Sequence, residues 1–367
     1  MRKLRQQIFL GLIIALGIYI AFLVIADSQL QLSSADVWEQ LAQFALVLVL
    51  PLIGLQVMVM FFRWVEWHYY LGVVGARDKL SLLDSILIQV AGFTMVVSPG
   101  KAGELLKSAV LKVKTGVPVV RSAPIVIAER VVDGLAVIVI LVGVLLLAGD
   151  ALALGAYNGI DYDQLSRAII FSSAGLLAAG LVVIQIKPLA YFFLSLLRRL
   201  PLLNRLYEPL MHFYESSREI FSLRHVIPMT IVGVGVYLPS VLSLFVVLLG
   251  FGIEPSWSLF LKSGFIVGVS SAIGALSFVP NGAGVTELSN VGMLLAFVAP
   301  DHPELTPTMA AAVALVQSFF HKWLRVLVGL FVVLIFRQRL FTPEVEATLA
   351  DMEQARSPAP GLQMSGG

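Results

Sequence analysis

A few charged residues stand inside otherwise apolar segments of this chain. Hydrophobic residues make up 58% of its 367 residues and charged residues only 13%. In the stretch ERVVDGLAVIVIL, Glu129 and Asp133 lie four residues apart, so they share a helix face, and Arg130 can reach Asp133. Asp133 follows Arg121 by twelve residues, about 18 Å along a helix, which places it near the middle of a bilayer. Charges at that depth indicate a path for an ion or a polar substrate.

A second, wholly basic set occurs in VALVQSFFHKWLRVLVGLFVV, near the other end of the chain. It contains His321, Lys322 and Arg325, and Arg325 precedes Arg337 by twelve residues. The depth is therefore comparable with that of the acidic set. Two interpretations remain open: the two sets face each other across a cavity for a charged substrate, or they pair and only clip two halves of the protein together.

The stretch SPGKAGELLKSAVLKVK combines a backbone break with a cationic helix face. Pro99 and Gly100 supply the break, and Lys101, Glu104 and Lys107 recur at three-residue spacing. Free amides at a helix start favour an anion, so a phosphate headgroup would fit the two lysines, with the glutamate holding one of them in place. In the alternative interpretation, the lysines only reach the cytoplasmic surface and fix the topology.

A similar break occurs at FVPNGAGVTELSN. Pro280, Gly282 and Gly284 interrupt the helix, and Glu287 follows on the return limb. The glycines could serve packing alone. A carboxylate in so apolar a segment costs several kcal/mol unless it is paired or solvated, so Glu287 is a candidate site residue.

Other polar stretches are predicted to lie outside the site. Arg63 and Glu66, in MFFRWVEWHYY, fit an aromatic belt at the membrane interface. Residues 188 to 222 mix aromatic, leucine and arginine residues and indicate interfacial helices that anchor two halves. Residues 341 to 367 are predicted to form a disordered cytoplasmic tail.

Apolar runs of membrane-spanning length must carry these residues. The mean hydropathy is +0.91, as expected of a polytopic membrane protein. The first run is longer than the apolar region of most signal peptides, so an uncleaved span is favoured over a cleaved signal. The runs are residues 8 to 26, 41 to 62, 82 to 98, 123 to 148, 168 to 186, 226 to 250, 259 to 279, 284 to 299 and 309 to 336.

Loop charges assign an orientation to these runs. Basic residues concentrate in 63 to 79, 101 to 121 and 187 to 225, whereas the other long connections are acidic. By the positive-inside rule this predicts an all-α membrane protein with six full spans, two re-entrant helical hairpins and both termini in the cytoplasm.

The hairpins belong to a predicted inverted repeat. Residues 41 to 148 and 226 to 336 both read as span, hairpin and span, and Gly103 and Gly284 stand 181 residues apart, as do the two prolines at the breaks. We therefore predict one membrane domain over residues 1 to 340, with inverted halves near 8 to 148 and 168 to 336. This construction is typical of alternating-access transporters.

Composition excludes several kinds of chemistry. The chain has no cysteine, so thiol nucleophiles and thiolate metal sites are ruled out, and its five histidines form no metal-binding pair. A net charge of +2 is too small to indicate a nucleic-acid partner. No cofactor or metal is expected.

At PGKAGELLKS, ERVVDG and PNGAGVTE the chain resembles the flippase-like family related to the transmembrane region of lysylphosphatidylglycerol synthases. The resemblance covers roughly residues 8 to 340, and it implies a fold that translocates lipids. HKWLR departs from the single arginine expected on the last span, and no aminoacyl-transferase sequence is present, so lipid synthesis is not implied. The residues implied to line a headgroup cavity are Lys101, Glu104, Glu129, Arg130, Asp133 and Glu287.

The predicted function is a flippase or lipid-linked-precursor transporter of the cell's inner membrane. Its partners would be a phospholipid or a polyprenyl-phosphate-linked lipid, with a second copy of the chain or a synthase as protein partners. Phosphate would bind to Lys101, Lys107, Arg130 and Arg325, while Glu104, Glu129, Asp133 and Glu287 would position those cations or carry a coupling proton.

Two rival functions remain open. One is an intramembrane transferase acting on a polyprenyl lipid or glycerophospholipid, for which Glu129, Asp133 and His321 are the candidate acid-base residues. The other is a noncatalytic membrane partner of a lipid or glycan synthesis enzyme.

Overall fold

The computed structural model describes residues 34–94, 102–148, 221–277 and 279–356, together with Gly17 and scattered positions between 156 and 220. The first predicted span lies outside the described residues except for Gly17, and the predicted span at 168 to 186 is described only in part.

The described chain is helical apart from one strand pair, Ala156–Tyr157 with Ile160–Asp161. Tighter turns lie at Leu46–Leu48, Arg77–Lys79 and Pro280–Gly282, and π-helical segments at Leu294–Val298 and Phe319–Trp323. The helices are α1 (Ser34–Ala42), α2 (Val49–Val73), α3 (Leu82–Gly92), α4 (Ala102–Thr115), α5 (Val119–Ala148), α6 (Lys187–Arg198), α7 (Leu223–Gly250), α8 (Trp257–Leu276), α9 (Val285–Met293), α10 (Pro307–Ser318), α11 (Leu324–Ile335), α12 (Arg337–Leu340) and α13 (Pro343–Arg356).

Among the described residues, five helical segments are long and apolar enough to cross a membrane. A bilayer core needs about 20 apolar residues of helix, and each segment meets that length. Large apolar side chains such as Leu50 and Phe331 are exposed on their outer faces, as a lipid environment allows. The segments are Leu46–Val73, Val119–Ala148, Leu223–Gly250, Trp257–Leu276 and Pro307–Ile335. The prediction of a helical membrane protein is confirmed at this level.

The predicted end of the second apolar run was wrong. Helix α2 continues beyond residue 62 to Val73, where Gly75, with φ 71°, lets the chain turn. The extension forms because Trp67, Tyr70 and Leu71 are fully or almost fully buried. Arg63 and Glu66 are therefore helix residues, and only Arg77 and Lys79 remain as basic residues of the following loop.

Two pairs of contacting helices position the candidate site. We name α3 and α4 the first helix pair, and α8 and α9 the second helix pair. The first helix of each pair packs on a long helix of the other half of the chain: α3 on α11, and α8 on α5. The second helix of each pair packs on the helix that follows it in sequence, α4 on α5 and α9 on α10.

A small residue permits one of these close packings. In α11, a Cβ atom built on Gly329 would lie 2.7 Å from the carbonyl oxygen of Val90 in α3. A larger residue would therefore push the first helix pair away from α11.

The prediction of a disordered C-terminal tail was wrong for residues 343 to 356. These residues form α13, which packs on α4 and buries Val345. Thr342 precedes Pro343, the first residue of the helix, where proline is favoured. Residues 357 to 367 lie outside the described residues.

Candidate functional site

A buried ion pair joins the first helix pair to α5. Lys107 Nζ lies 2.9 Å from Glu129 Oε1 and 3.3 Å from Oε2. The same ammonium lies 4.2 Å from the ring centroid of Trp67 in α2, which adds a cation–π contact. Gly92 leaves room for the lysine stem, because a Cβ there would lie 3.0 Å from Lys107 Cδ. Lys107 is thus held inside the protein by a carboxylate and a ring, not extended to the surface.

A second charged group joins α2 to α5. Arg63 Nη1 lies 2.5 Å from Asp133 Oδ1 and 3.4 Å from Glu66 Oε2, and Arg130 Nη1 lies 3.1 Å from Asp133 Oδ2. The predicted contact between Arg130 and Asp133 is confirmed. The assignment of Arg63 and Glu66 to an interfacial belt was wrong, since the Arg63 side chain is 11% exposed and that of Glu66 is 0% exposed. The neighbouring aromatic residues suggested the interface, but Asp133 attracts the guanidinium inward.

The third group joins the second helix pair to the π-helical segment Phe319–Trp323. Glu287 Oε1 lies 2.9 Å from Lys322 Nζ and accepts a hydrogen bond from Ser318, and its Oε2 accepts one from Thr286 at 3.0 Å. Both ionic side chains are buried. The unusual cost of a carboxylate at position 287 is thus offset by one cation and two hydroxyl groups.

The turn of the second helix pair places the side chain of Asn281 beside Arg325 of the basic set. Asn281 has φ 56°, and Gly282 and Gly284 have φ 60° and 78°. Asn281 Oδ1 accepts a hydrogen bond from Arg325 Nη2 at 3.1 Å. Asparagine tolerates this left-handed conformation better than most residues. The turn therefore needs two of the predicted break glycines for their backbone, and Asn281 for its side chain.

Three buried nitrogen atoms near this turn lack hydrogen-bond partners among the described residues. They are Arg325 Nε, His321 Nδ1 and Asn281 Nδ2. The arginine and asparagine nitrogens are donors, whereas the histidine nitrogen donates or accepts according to its tautomer. A buried donor without an acceptor costs about 1 to 3 kcal/mol, which an anionic ligand would offset.

The acidic and basic sets do not clip together directly. Within the described ranges, no ion pair connects Glu129 or Asp133 with His321, Lys322 or Arg325. Glu129 pairs instead with Lys107 of α4, Asp133 with Arg63 of α2, and Lys322 with Glu287 of α9.

The sets are nevertheless neighbours. Arg325 interacts electrostatically with Arg63, Arg130 and Asp133, and His321 with Arg63. The site therefore gathers three guanidinium groups from α2, α5 and α11. Asp133 contacts both Arg63 and Arg130, and Glu66 contacts Arg63.

Several predicted residues lie outside the parts that the structure describes. These are Pro99, Gly100 and Lys101, together with the side chain of Glu104. Gly103 lies in the first turn of α4, so its place is in the helix and not in the break. Pro280 and Gly282 form the turn of the second helix pair, as predicted.

Sequence reasoning missed three further ion pairs, which involve two carboxylates. Lys262 in α8 pairs with Asp301, and Asp84 in α3 receives Lys114 Nζ at 3.1 Å and Arg339 Nε at 2.7 Å. The isolated lysine within the apolar sequence of α8 was an available signal. No sequence pattern connects Asp84 with Arg339, because 255 residues separate them.

The chemistry available at the site is charge recognition. In the part of the chain described here, no group of three or more His, Asp or Glu side chains is placed to hold a metal ion. Beside the paired carboxylates, the site brings together cations, the Asn281 amide and hydroxyl groups, which bind phosphate or carboxylate groups.

Fold and site together define a polytopic helical membrane protein with buried charges at its centre. The family model of the lysylphosphatidylglycerol synthase TM region matches residues 8–329, and the chain belongs to this family. No curated protein matches it. Membership confirms the resemblance seen at the three motifs and associates the protein with lipid handling.

Proposed function

We propose that the protein is a flippase that carries an anionic phospholipid or a lipid-linked precursor across the cytoplasmic membrane. The observation that carries the proposal is that buried nitrogens of Asn281, His321 and Arg325 have no hydrogen-bond partner among the described residues. Two of them are donors that require an acceptor, and a lipid phosphate supplies several acceptor oxygens.

The charge of the site supports an anionic headgroup. Arg63 pairs with Asp133 and lies near Glu66, whereas Arg325 donates to the neutral amide oxygen of Asn281 and forms no ion pair with a carboxylate among the described residues. A guanidinium stays charged at physiological pH, so Arg325 would attract a phosphate and disfavour a cation.

A transport path also requires backbone breaks near the site. We propose six full spans and two re-entrant hairpins related by an inverted repeat, with both termini in the cytoplasm. Helix α3 has 11 residues, about 17 Å, so it is too short to cross alone. The reciprocal packing of α3 on α11 and of α8 on α5 supports the repeat. Helix α8 has spanning length, so its return depends on the turn at Pro280–Gly282.

Lipid sidedness in proteoliposomes tests the function. Fluorescent phosphatidylglycerol, phosphatidylcholine and a polyprenyl phosphate would each be followed from one leaflet to the other. We expect the wild type to move an anionic lipid, and Arg325→Gln to move it ten- to a hundredfold more slowly, as the loss of one charge-assisted contact predicts. Arg121→Gln, which removes an exposed cation, is the matched control.

The same assay separates the rival functions. A lipid recovered in altered chemical form would indicate a transferase, and a wild-type protein that moves none of the three lipids would contradict the proposal. Equal rates for wild type and Arg325→Gln would remove the basic set from the site.

Single cysteines test the proposed topology in this cysteine-free chain. Ser256→Cys and His302→Cys flank the second helix pair and should react with an impermeant reagent on intact cells. Asp78→Cys, in the basic loop, should react only after permeabilisation. Labelling of only one of the two outer positions would rule out the second re-entrant hairpin.

A further inference from the structure

Glu66 is a buried carboxyl group to which the proposed lipid transport assigns no role. Its side chain is 0% exposed, and Oε1 has no hydrogen-bond partner among the described residues. The Tyr70 hydroxyl, one helical turn away on α2, is buried and does not donate to it either. An ionised carboxylate in this position would keep one oxygen without any donor.

The other oxygen has only a shared donor. Glu66 Oε2 lies 3.4 Å from Arg63 Nη1, the same nitrogen that lies 2.5 Å from Asp133 Oδ1. Asp133 is thus the closer partner of the guanidinium, and it has Arg130 as well. A neutral carboxyl at position 66 fits this arrangement because it requires no second cation.

Other charged groups surround this carboxyl and set its titration. Arg63 and Tyr70 lie on its own helix. The neighbouring helix α5 contributes Glu129, Arg130 and Asp133. Other groups act through these residues: Lys107 of α4 pairs with Glu129, and Tyr237 of α7 lies beside Arg63. His321 interacts with Arg63, Arg325 with Arg63 and Arg130, and Lys322 with Arg325.

We propose that Glu66 binds a proton in the arrangement described here, and that loss of this proton weakens the Arg63–Asp133 pair. Ionised Glu66 would compete with Asp133 for the same guanidinium nitrogen. The released proton passes to water on the side to which the site opens. Because the protonated form leaves the site more positive, an anionic headgroup and this proton bind cooperatively. This coupling rests on the proposed lipid transport, whereas proton binding by Glu66 does not.

Infrared spectroscopy tests proton binding without any lipid. At neutral pH, the purified protein in detergent should show the carbonyl band of a protonated carboxyl group. The band should disappear in Glu66→Gln and shift in Glu66→Asp, which serves if the glutamine variant does not fold. Glu129→Gln is the matched control, because it removes a buried carboxyl group that has its own cation, Lys107, and it should leave the band in place. A band that is absent from the wild type, or unchanged in both Glu66 variants, would overturn the proposal.

The coupling is tested with short-chain phosphatidylglycerol as the probe. Wild-type affinity should fall up to tenfold per pH unit above the titration of Glu66, with proton uptake on binding, while Glu66→Gln should bind with little pH dependence. Equal pH dependence in both proteins would overturn the coupling. If the lipid fails to bind while the infrared band is present, the proposed function fails and the proton site stands.

Discussion

Two buried lysine–glutamate pairs occupy equivalent places in the two halves of the chain with their signs exchanged. In the first half, the lysine lies on the second helix of the pair and the glutamate on the following helix, Lys107 with Glu129. In the second half the glutamate comes first, Glu287 with Lys322. Both nitrogen–oxygen distances are 2.9 Å. The two pairs thus share an attraction across one packing contact, not a particular residue at a particular place.

The surroundings of the two pairs differ in what they can accept. Around Glu287, hydroxyl groups from Thr286 and Ser318 complete the coordination of the carboxylate. Around Lys107, the face of the Trp67 ring completes the coordination of the ammonium group. Hydroxyls can donate or accept, whereas the ring face favours only a cation. The surroundings of the first pair therefore favour a cation at position 107, whereas those of the second pair accept either charge at either position.

The largest expected effect is the loss of Glu287. Glu287→Gln should lower the free energy of unfolding by about 3 to 5 kcal/mol, because Lys322 is left buried without a counter-charge and the amide nitrogen faces donors. Glu129→Gln should cost less, about 1 to 3 kcal/mol, since its amide oxygen can still accept from Lys107 and the ring remains. Chemical denaturation of both variants in one detergent measures the difference. A larger loss at position 129 would contradict the comparison.

Exchanging the two charges within each pair tests whether the surroundings of the pairs differ in this way. The double variant Glu287→Lys with Lys322→Glu should recover most of the stability, because the pair keeps its attraction and the hydroxyls adapt. The double variant Lys107→Glu with Glu129→Lys should remain about 1 to 2 kcal/mol less stable, since a carboxylate would then face the Trp67 ring. Trp67→Leu, introduced into both the wild type and the exchanged protein, is the control: the cavity cost is then common to both, and the difference between them should disappear. Equal recovery of the two exchanged pairs would show that the ring has no part.

Sequence reasoning identified the members of these pairs but not their partners. Burial of charge is readable from position within an apolar run, which is why Glu129, Asp133, Glu287 and Lys322 were found. Helical spacing also gave the contact between Arg130 and Asp133. Partners on distant helices depend on which helices pack together, and a charge count along one chain does not contain that information. Lys107 was thus predicted beside Glu104, and the two central sets were predicted to face each other.

The missed residues follow the same physical rule. Arg63 directly follows the predicted apolar run, which ended at residue 62, and its aromatic neighbours fitted a membrane interface. Only the packing of α2 against α5 shows that Asp133 lies within reach. The tail was assigned disorder from its composition near the end, although Val345 has an apolar surface on α4 to pack against.

A smaller effect on stability is expected at the ends of the two helix pairs, near Asp84 and Asp301, which we call their bases. Asp84 at the start of α3 binds Lys114 and Arg339, and the Arg339 guanidinium holds the pKa of Asp84 well below its usual range. Asp84→Asn should therefore destabilise the protein by about 1 to 2 kcal/mol at neutral pH. A carboxyl whose pKa is lowered in the folded protein stabilises above its unfolded pKa, about 3.9, and this contribution is lost as the pH falls below it. The difference between wild type and variant should shrink in acid. A difference that is constant with pH would exclude the ion pair as its cause.

The smallest effect is expected at the other base, where Asp301 pairs with Lys262 after the second helix pair. Lys262 lowers the pKa of Asp301, but the carboxylate side chain is 58% exposed, so water and salt screen the attraction. Lys262 lies near the start of α8, and its long side chain can reach solvent when its partner is removed. Asp301→Asn should consequently lower the free energy of unfolding by less than about 1 kcal/mol, and this loss should vanish in high salt. The loss caused by Asp84→Asn should persist in part, because three donors surround a less exposed carboxylate. Thermal unfolding of both variants at low and high ionic strength measures this. A loss at position 301 as large as that at position 84, and equally resistant to salt, would mean that the second helix pair is fixed at its base as firmly as the first.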